Sequence, residues 1–552
     1  MRPLLTLCLA LTATLFAAET KPNILFILTD DQGYGDVGAH GNPILRTPNL
    51  DKLRAESVRF TDFQVSPTCA PTRSALLTGR HEFKNGVTHT IFERERMALG
   101  AATLTEQLQK AGYRTGIFGK WHLGDEAEYQ PNRRGFDEVF IHGAGGIGQS
   151  YPGSCGDVPK NSYYGPTILH NGKFVKTEGY CTDEFFGRAT KWIEGEVAAK
   201  RPFYAYIATN APHAPYNAKP EDAALYEGKG LGKDTENFFG MLHNIDQNVG
   251  KILARLEALG VAQDTLVVFM NDNGGTAGVK VFNAGMRAQK GTAFMGGIRA
   301  ISFWRLPGRF QPKDVKALAA HVDFAPTLLE LTGAQASPQM KSQLEGRSLL
   351  PLLTAKVGAD IAWPDRTLIT HVGRWNGADP EVGRHTQTSV RTTRWHLVAA
   401  GAGPAAGKAK AKAAKADSGQ ASPAKPIWQL FDLGADYGET DDVAAQHPEV
   451  VKTLTAKAIA WAKTLPASPA RDKFMKSGAQ AKTPKDAPAK PKKNYDRPKI
   501  FESWDKNKDG FLAKDEFIPH MGDQADAPAR FIRFDQDKDG RLSKDEFVRA
   551  GN

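Results

Sequence analysis

Four clusters of chemically capable residues stand out because each follows directly on a short apolar run: Asp30-Asp31 after residues 24–28, Lys120-Trp121-His122 after 115–118, His213 after 203–208, and Asp272-Asn273 after 266–270. Asp30, Asp31, Asp272 and Asn273 offer only oxygen donors, which select a hard cation such as Ca²⁺ or Mg²⁺ over zinc. His122 and His213 are groups able to move a proton near neutral pH. Taken singly these residues are ordinary: an acidic pair reads as a cap or turn, Lys120 and Lys290 as solvated charges, His213 among prolines as a loop residue. Cys69 precedes Pro71, and proline suits the first turn of a helix, so Cys69 falls at a helix N-terminus, where free N–H groups and the dipole favour an anion. Arg73 adds a fixed positive charge there, although an isolated cysteine is more commonly a small buried apolar residue.

The elements that position these groups follow from hydrophobic pattern. Continuous apolar runs suit strands covered on both faces. Between them lie helical signals: Thr103 and Glu106 form a capping box, and Ile245, Val249, Ile252, Leu253, Leu256 and Leu259 recur at helical spacing. Strands alternating with helices imply an α/β domain, residues 19–375, around a largely parallel sheet. In such sheets ligands bind beyond the carboxyl ends of the strands, where all four clusters fall. Residues 376–466 change character. Stretches 389–398 and 427–433 read as strands, and 448–465 as a closing helix, of a smaller C-terminal α+β subdomain.

Residues 1–18 carry Arg2, an apolar stretch and a small-residue end, the pattern of a secretory signal peptide, so the chain is expected to be exported to the periplasm or secreted. No other run approaches the ~18 apolar residues that span a bilayer, so no integral membrane segment is expected. Beyond the leader stand Cys69, Cys155 and Cys181, an odd count that permits one disulfide, taken as Cys155–Cys181, and one free thiol. The net charge of +10 resides in residues 401–426, with five Lys and one Asp, and 467–497, with nine basic and three acidic groups. Both are Ala/Lys/Pro-rich and poor in aromatics, so they read as a solvated insert and linker and not as a nucleic-acid site.

The tail, residues 498–552, contains two twelve-residue loops. Asp505, Asn507, Asp509 and Glu516 occupy positions one, three, five and twelve of the first, with Gly510 at six and the Phe511 carbonyl at seven. Asp535, Asp537, Asp539 and Glu546 repeat the pattern in the second, with Gly540 and Arg541. Both match the EF-hand loop, and so predict up to two further Ca²⁺ ions in an α-helical pair. Phe501, Trp504, Phe517, Phe531, Phe534 and Phe547 supply a shared core.

The run Cys69-Ala70-Pro71-Thr72-Arg73, with Thr78-Gly79 following, resembles the signature of the type I, formylglycine-dependent sulfatases, arylsulfatase-like members of the alkaline-phosphatase-like superfamily. The resemblance extends through Asp30-Asp31, Gly119-Lys120-Trp121-His122-Leu123-Gly124, Pro212-His213, Asp272-Asn273-Gly274, Lys290-Gly291-Thr292 and Gly296-Gly297-Ile298-Arg299, over roughly residues 21–465. It implies that a formylglycine-generating enzyme oxidises Cys69, and that the hydrated aldehyde attacks sulfur with one hydroxyl and expels sulfate through the other. It further implies that Asp30, Asp31, Asp272 and Asn273 hold a catalytic Ca²⁺ with residue 69. By the same resemblance Arg73 and Lys120 steady residue 69, and Lys120 and Lys290 bind sulfate oxygens. His122 serves as base on residue 69 and His213 as proton donor to the leaving oxygen. The expected substrate is a sulfated small molecule or polysaccharide. Two rival readings are a phosphate or phosphonate ester hydrolase of the same superfamily and a calcium-dependent glycan-binding protein on an inactive hydrolase fold. Residues 143–161 and 375–385 are the segments placed to shape a substrate pocket.

Overall fold

The computed structural model describes residues 21–90, 94–149, 158, 161–373, 387–400, 427–465, 497–520 and 531–549 apart from 533 and 538. The leader, the insert at 401–426, the segment at 375–385, Cys155 and all but the last residue of the 467–497 linker lie outside the described residues. The chain divides into two compact units, Met1–Gly478 and Ala479–Asn552.

In chain order the strands of the first unit begin with β1 (Asn23–Thr29), β2 (Val58–Phe60), β3 (Phe63–Gln64), β4 (Arg114–Lys120), β5 (Glu138–His142) and β6 (Thr167–His170). They continue with β7 (Lys173–Lys176), β8 (Phe203–Ala208), β9 (Thr265–Asn271), β10 (Ser302–Arg305), β11 (Lys313–Val315) and β12 (Ala319–Ala320). Ten of them form one sheet in the order β11-β2-β10-β9-β1-β8-β4-β5-β6-β7, while β3 and β12 pair separately. The five central strands, β9-β1-β8-β4-β5, are mutually parallel. The flanks are not: β10 runs antiparallel to β9 and β2, and β6 antiparallel to β5 and β7. The sheet is therefore mixed, which corrects the expectation of a largely parallel one. Antiparallel neighbours can be joined without a crossover helix, as β6 and β7 are by the short turn at 171–172, whereas β7 returns to β8 through the helix Cys181–Ala198.

Both faces of the central strands are dry, as their unbroken apolar runs require. Ile24, Phe26 and Leu28 point into one core with the helices Leu104–Lys110 and Phe324–Thr332, whereas Leu25 and Ile27 point into another beneath Cys181–Ala198 and Lys233–Ala258. The capping box of Thr103 and Glu106 forms as expected. At Gly119 the chain adopts φ +116°, and a Cβ there would stand 1.9 Å from the Ala208 carbonyl oxygen, so only glycine lets β4 reach its end beside β8.

A four-stranded antiparallel sheet follows in the order β13 (Leu368–His371), β14 (Thr388–Arg391), β15 (Trp395–Ala400) and β16 (Ile427–Asp432), with the helix Pro448–Ala462 against it. The stretch 389–398, read from sequence as one strand, is two. The chain turns at 392–394, where Thr392 N–H and Trp395 N–H bond across the bend. The sheet also begins at β13, ahead of residue 376. Strands β15 and β16 pair in register from Trp395↔Asp432 to Ala400↔Ile427, so the 401–426 insert hangs from their hairpin.

Cys181 is a free, fully buried thiol at the head of its helix, whereas Cys155, its expected disulfide partner, lies outside the described residues. Its Sγ lies 3.3 Å from Asn210 Oδ1, and burial pushes its pKa up to about 12.

In the second unit Phe501, Leu512, Phe517, Phe531, Leu542 and Phe547 form the small core, and β17 (Phe511–Leu512) pairs antiparallel with β18 (Leu542–Ser543). Each twelve-residue loop is closed by its own acids. Gly510 N–H and Gly540 N–H donate to Asp505 and Asp535 at 3.0 Å, and Glu516 and Glu546 accept from loop amides at 2.9 and 2.8 Å. Asp535, Asp537 and Glu546 bring ligand oxygens within 4.8 Å of one another.

Candidate active site

The topology places the four clusters side by side, because β9, β1, β8 and β4 are neighbours that end at one edge of the sheet. Asp272-Asn273 follows β9, Asp30-Asp31 follows β1, His213 lies beyond β8, and β4 ends on Lys120 two residues before His122. The helix Cys69–Thr78 brings Cys69 to the same place at its first residue, N-capped by Thr68 in extended conformation. Asp31 and His122 both sit at positive φ, 67° and 61°. Each non-glycine left-handed residue costs of order 1–3 kcal/mol, which the surrounding sheet must offset.

Each carboxylate has a lysine or arginine partner. Lys120 Nζ lies 2.6 Å from Asp30 Oδ2, Lys290 Nζ 2.5 Å from Asp31 Oδ1, and Arg73 Nη2 2.7 Å from Asp272 Oδ2, with Arg73 Nε on the same oxygen at 3.0 Å. Arg73 Nη1 also donates to the Lys120 carbonyl at 3.1 Å, so its influence on Cys69 is exerted through charge. Asn273 Nδ2 donates to Asp31 Oδ1 at 2.9 Å.

What remains unpaired points to a cation. Asp30 Oδ1 and Asn273 Oδ1 are buried and lack a hydrogen-bond partner among the described residues, and ligand atoms of Asp30, Cys69 and Asp272 lie within 4.8 Å of one another. Burial, and the neighbouring carboxylate after it, pushes Asp272 up to about 7; burial outweighs Lys120 to push Asp30 to about 6. Crowded acids that resist ionisation are what a hard divalent cation relieves, and the oxygen donor set fits Ca²⁺. Asp31 goes the other way, since Lys290 and His213 overcome burial and hold it well below the carboxylate range.

The Cys69 sulfur is buried among charged groups. Burial raises its pKa, but Lys120, His122 and Lys290 together hold it well below the usual thiol value, an environment built for an anion. His122 is pressed down by burial and Lys120 yet raised to about 9 by Cys69 and Glu95. His213 Nε2 lies 3.9 Å from Asp31 Oδ2, and its side chain is 15% exposed against 1% for His122, so it is the histidine with access to an arriving molecule.

Three further groups had no signal in the sequence. Glu95 lies against His122. His142, at the end of β5 opposite Lys120, is buried with both ring nitrogens unpartnered among the described residues and is held neutral by burial and Lys120. Glu439 accepts from Met295 N–H at 2.7 Å and pairs with His396 Nδ1 at 2.5 Å, fastening the loop that carries Lys290 to the antiparallel sheet. None belongs to a recognisable motif, and each acts on the site only because a remote stretch of chain folds onto it.

The Sulfatase family profile matches residues 22–334. The chain is 35% identical over 385 residues to arylsulfatase A from Bos taurus, covering 64% of this chain and 71% of that one. It is 34% identical over 365 residues to N-acetylgalactosamine-6-sulfatase from Canis lupus familiaris, covering 61% and 66%. Among solved structures, Ps i-CgsB in complex with k-i-k-neocarrahexaose is 28% identical with a TM-score of 0.67, covering 83% of this chain and 96% of that one. The mixed sheet with acids, lysines and histidines at its parallel strand ends is thus an α/β alkaline-phosphatase-like sulfatase fold, and the chain belongs to the sulfatase family as a sulfuric ester hydrolase.

Proposed function

We propose that this chain cleaves sulfate monoesters of a glycan, with residue 69 as formylglycine and one Ca²⁺ beyond the ends of β1 and β9. The observation that carries this reading is the charge balance: Asp30, Asp31 and Asp272 are matched by Lys120, Lys290 and Arg73. A divalent cation added to a balanced set leaves positive charge in excess, which suits the sulfate monoester anion. Asp30, Asp31, Asp272 and Asn273 would hold the ion with residue 69, where it supplies Lewis acidity. Formylglycine supplies a hydrated aldehyde, one hydroxyl of which is nucleophilic while the other permits release of sulfate.

The chain's own groups do the rest. Lys120 and Lys290 neutralise sulfate oxygens. His122 takes a proton from residue 69, and His213, the more accessible histidine, gives one to the leaving oxygen. Arg73 braces Asp272 and the end of β4. The glycan assignment is supported by the names of two similar proteins, the N-acetylgalactosamine-6-sulfatase and the k-i-k-neocarrahexaose complex of Ps i-CgsB. The tail is proposed as an EF-hand pair binding up to two Ca²⁺, the leader as a signal for export to the periplasm or beyond, and a formylglycine-generating enzyme as the maturation partner.

Peptide mass spectrometry of active enzyme is expected to find an aldehyde at residue 69, and Cys69→Ala to abolish turnover with the fold intact. Full turnover by protein carrying only the thiol would overturn the reading. Parallel assays on sulfate and phosphate esters, and on sulfated oligosaccharides, separate it from the phosphatase and glycan-binding alternatives.

A further inference from the structure

The His122 imidazole is held from one side by two acceptors. Its Nε2 lies 2.9 Å from the Thr90 carbonyl oxygen and 3.2 Å from Glu95 Oε2. A carbonyl oxygen can only accept, so Nε2 must carry a hydrogen, and in a neutral imidazole the lone pair is then on Nδ1. Among the described residues Nδ1 is buried without a hydrogen-bond partner, and Cys69 is a polar neighbour acting on the ring. With Nε2 engaged, Nδ1 is the nitrogen left for residue 69. The pair is deeply placed, His122 and Glu95 being 1% and 2% exposed at their side chains. Gly145 completes the enclosure: a Cβ there would come within 2.9 Å of Nε2, so glycine lets the chain wall the ring closely.

We infer that Glu95 is a positioning residue for this site: with the Thr90 carbonyl it fixes His122 in the tautomer protonated on Nε2, leaving Nδ1 to accept the proton of the residue-69 hydroxyl. The inference rests on the assignment of residue 69 as nucleophile. The proton balance is simple. As the hydroxyl O–H bond breaks, its proton passes to Nδ1, the ring becomes an imidazolium, and the Glu95 carboxylate faces the new charge through Nε2–H. Glu95 touches neither substrate nor residue 69 in this scheme and acts through the ring alone.

Two measurements on the full chain test this. The first is a double-mutant cycle on a sulfate ester. Glu95→Gln is expected to lower kcat roughly 10–100-fold, a share of the ~10²–10⁴-fold that a general base contributes, with little change in KM. In a His122→Ala background the same change should cost less than twofold. Losses that simply add would overturn the inference, because a structural role for Glu95 would not depend on the ring. The second is ¹⁵N NMR of His122 in Cys69→Ala protein, where neither thiol nor aldehyde is present. A neutral ring protonated on Nε2 is expected, with that preference weakened when Glu95→Ala leaves the Thr90 carbonyl as the remaining acceptor; a ring protonated on Nδ1 in Cys69→Ala would refute it. Absence of sulfatase activity in the mature wild type would instead strike the proposed function, and the NMR result stands apart from it. Should Glu95→Gln fail to fold, the Cys69→Ala spectrum with Glu95 intact still decides the tautomer.

Discussion

Replacing Arg73 by Met removes a charge while keeping much of the volume, and the structure says what is lost. Two guanidinium nitrogens leave Asp272 Oδ2 and a third leaves the Lys120 carbonyl, at a place where Arg73 and Asp272 are 1% and 0% exposed. Breaking one side of a buried pair costs about 3–5 kcal/mol, because the other charge stays buried and unpaired. For a unit the size of Met1–Gly478 that is a fall in Tm of roughly 3–5 °C. If Asp272 also faces a cation, the cation becomes its remaining counter-charge in Arg73→Met, and Ca²⁺ should stabilise the variant more than the wild type. Saturating Ca²⁺, at about 1,000 times its Kd, is worth ~4 kcal/mol to a protein that binds it only when folded. Differential scanning fluorimetry in chelator and in excess Ca²⁺ gives both Tm differences, and any contribution of the tail cancels because both proteins carry it. The deficit of Arg73→Met is expected to shrink by at least half when Ca²⁺ is added, while kcat stays more than tenfold down because Lys120 has lost its brace. A deficit unchanged within 1 °C would refute the placement of Asp272 in the metal cluster.

Other outcomes follow from the same geometry. His213→Ala should lose roughly 10²–10⁴-fold on a sugar sulfate but less than about tenfold on nitrophenyl sulfate, whose leaving group needs little protonation; equal losses on both would assign the proton elsewhere. Glu439→Ala frees the Met295 amide and His396, so steady-state kinetics should show KM rising several-fold with kcat little changed, as Lys290 loses its fixed position. Glu516→Gln with Glu546→Gln should weaken calcium binding read from Trp504 fluorescence without altering turnover of a small ester, and loss of turnover would show that the tail serves catalysis. Glu82 resists burial with the help of His81 and His321 and is held at about 2, below its unfolded value of 4.5. Its contribution is therefore present above pH 4.5 and lost as pH falls toward 2, so the stability gap between wild type and Glu82→Gln should close over that range in acid denaturation.

The sequence by itself determined the strands and the residues at their ends. Residues 24–28, 203–208 and 266–270 are apolar without interruption, which suits strands covered on both faces, and polar groups placed immediately after such strands emerge at a sheet edge. Pro71 likewise fixed Cys69 at the start of a helix, and the glycine and acid spacing fixed the form of the two tail loops. Tertiary structure decided what those local rules cannot reach. The direction of β10 and β6, and so the mixed sheet, depends on how connections run across an edge. The turn at 392–394 depends on a pairing between β14 and β15 that an apolar run does not announce. Cys181 points inward to Asn210, a hydrogen-bond partner 29 residues away. Glu95 and Glu439 reach the site from loops whose composition is that of any surface segment. Strand and helix periodicity is a property of neighbours a few residues apart, whereas the partner of a buried acid is chosen by the packing of distant elements, and only the folded chain brings those together.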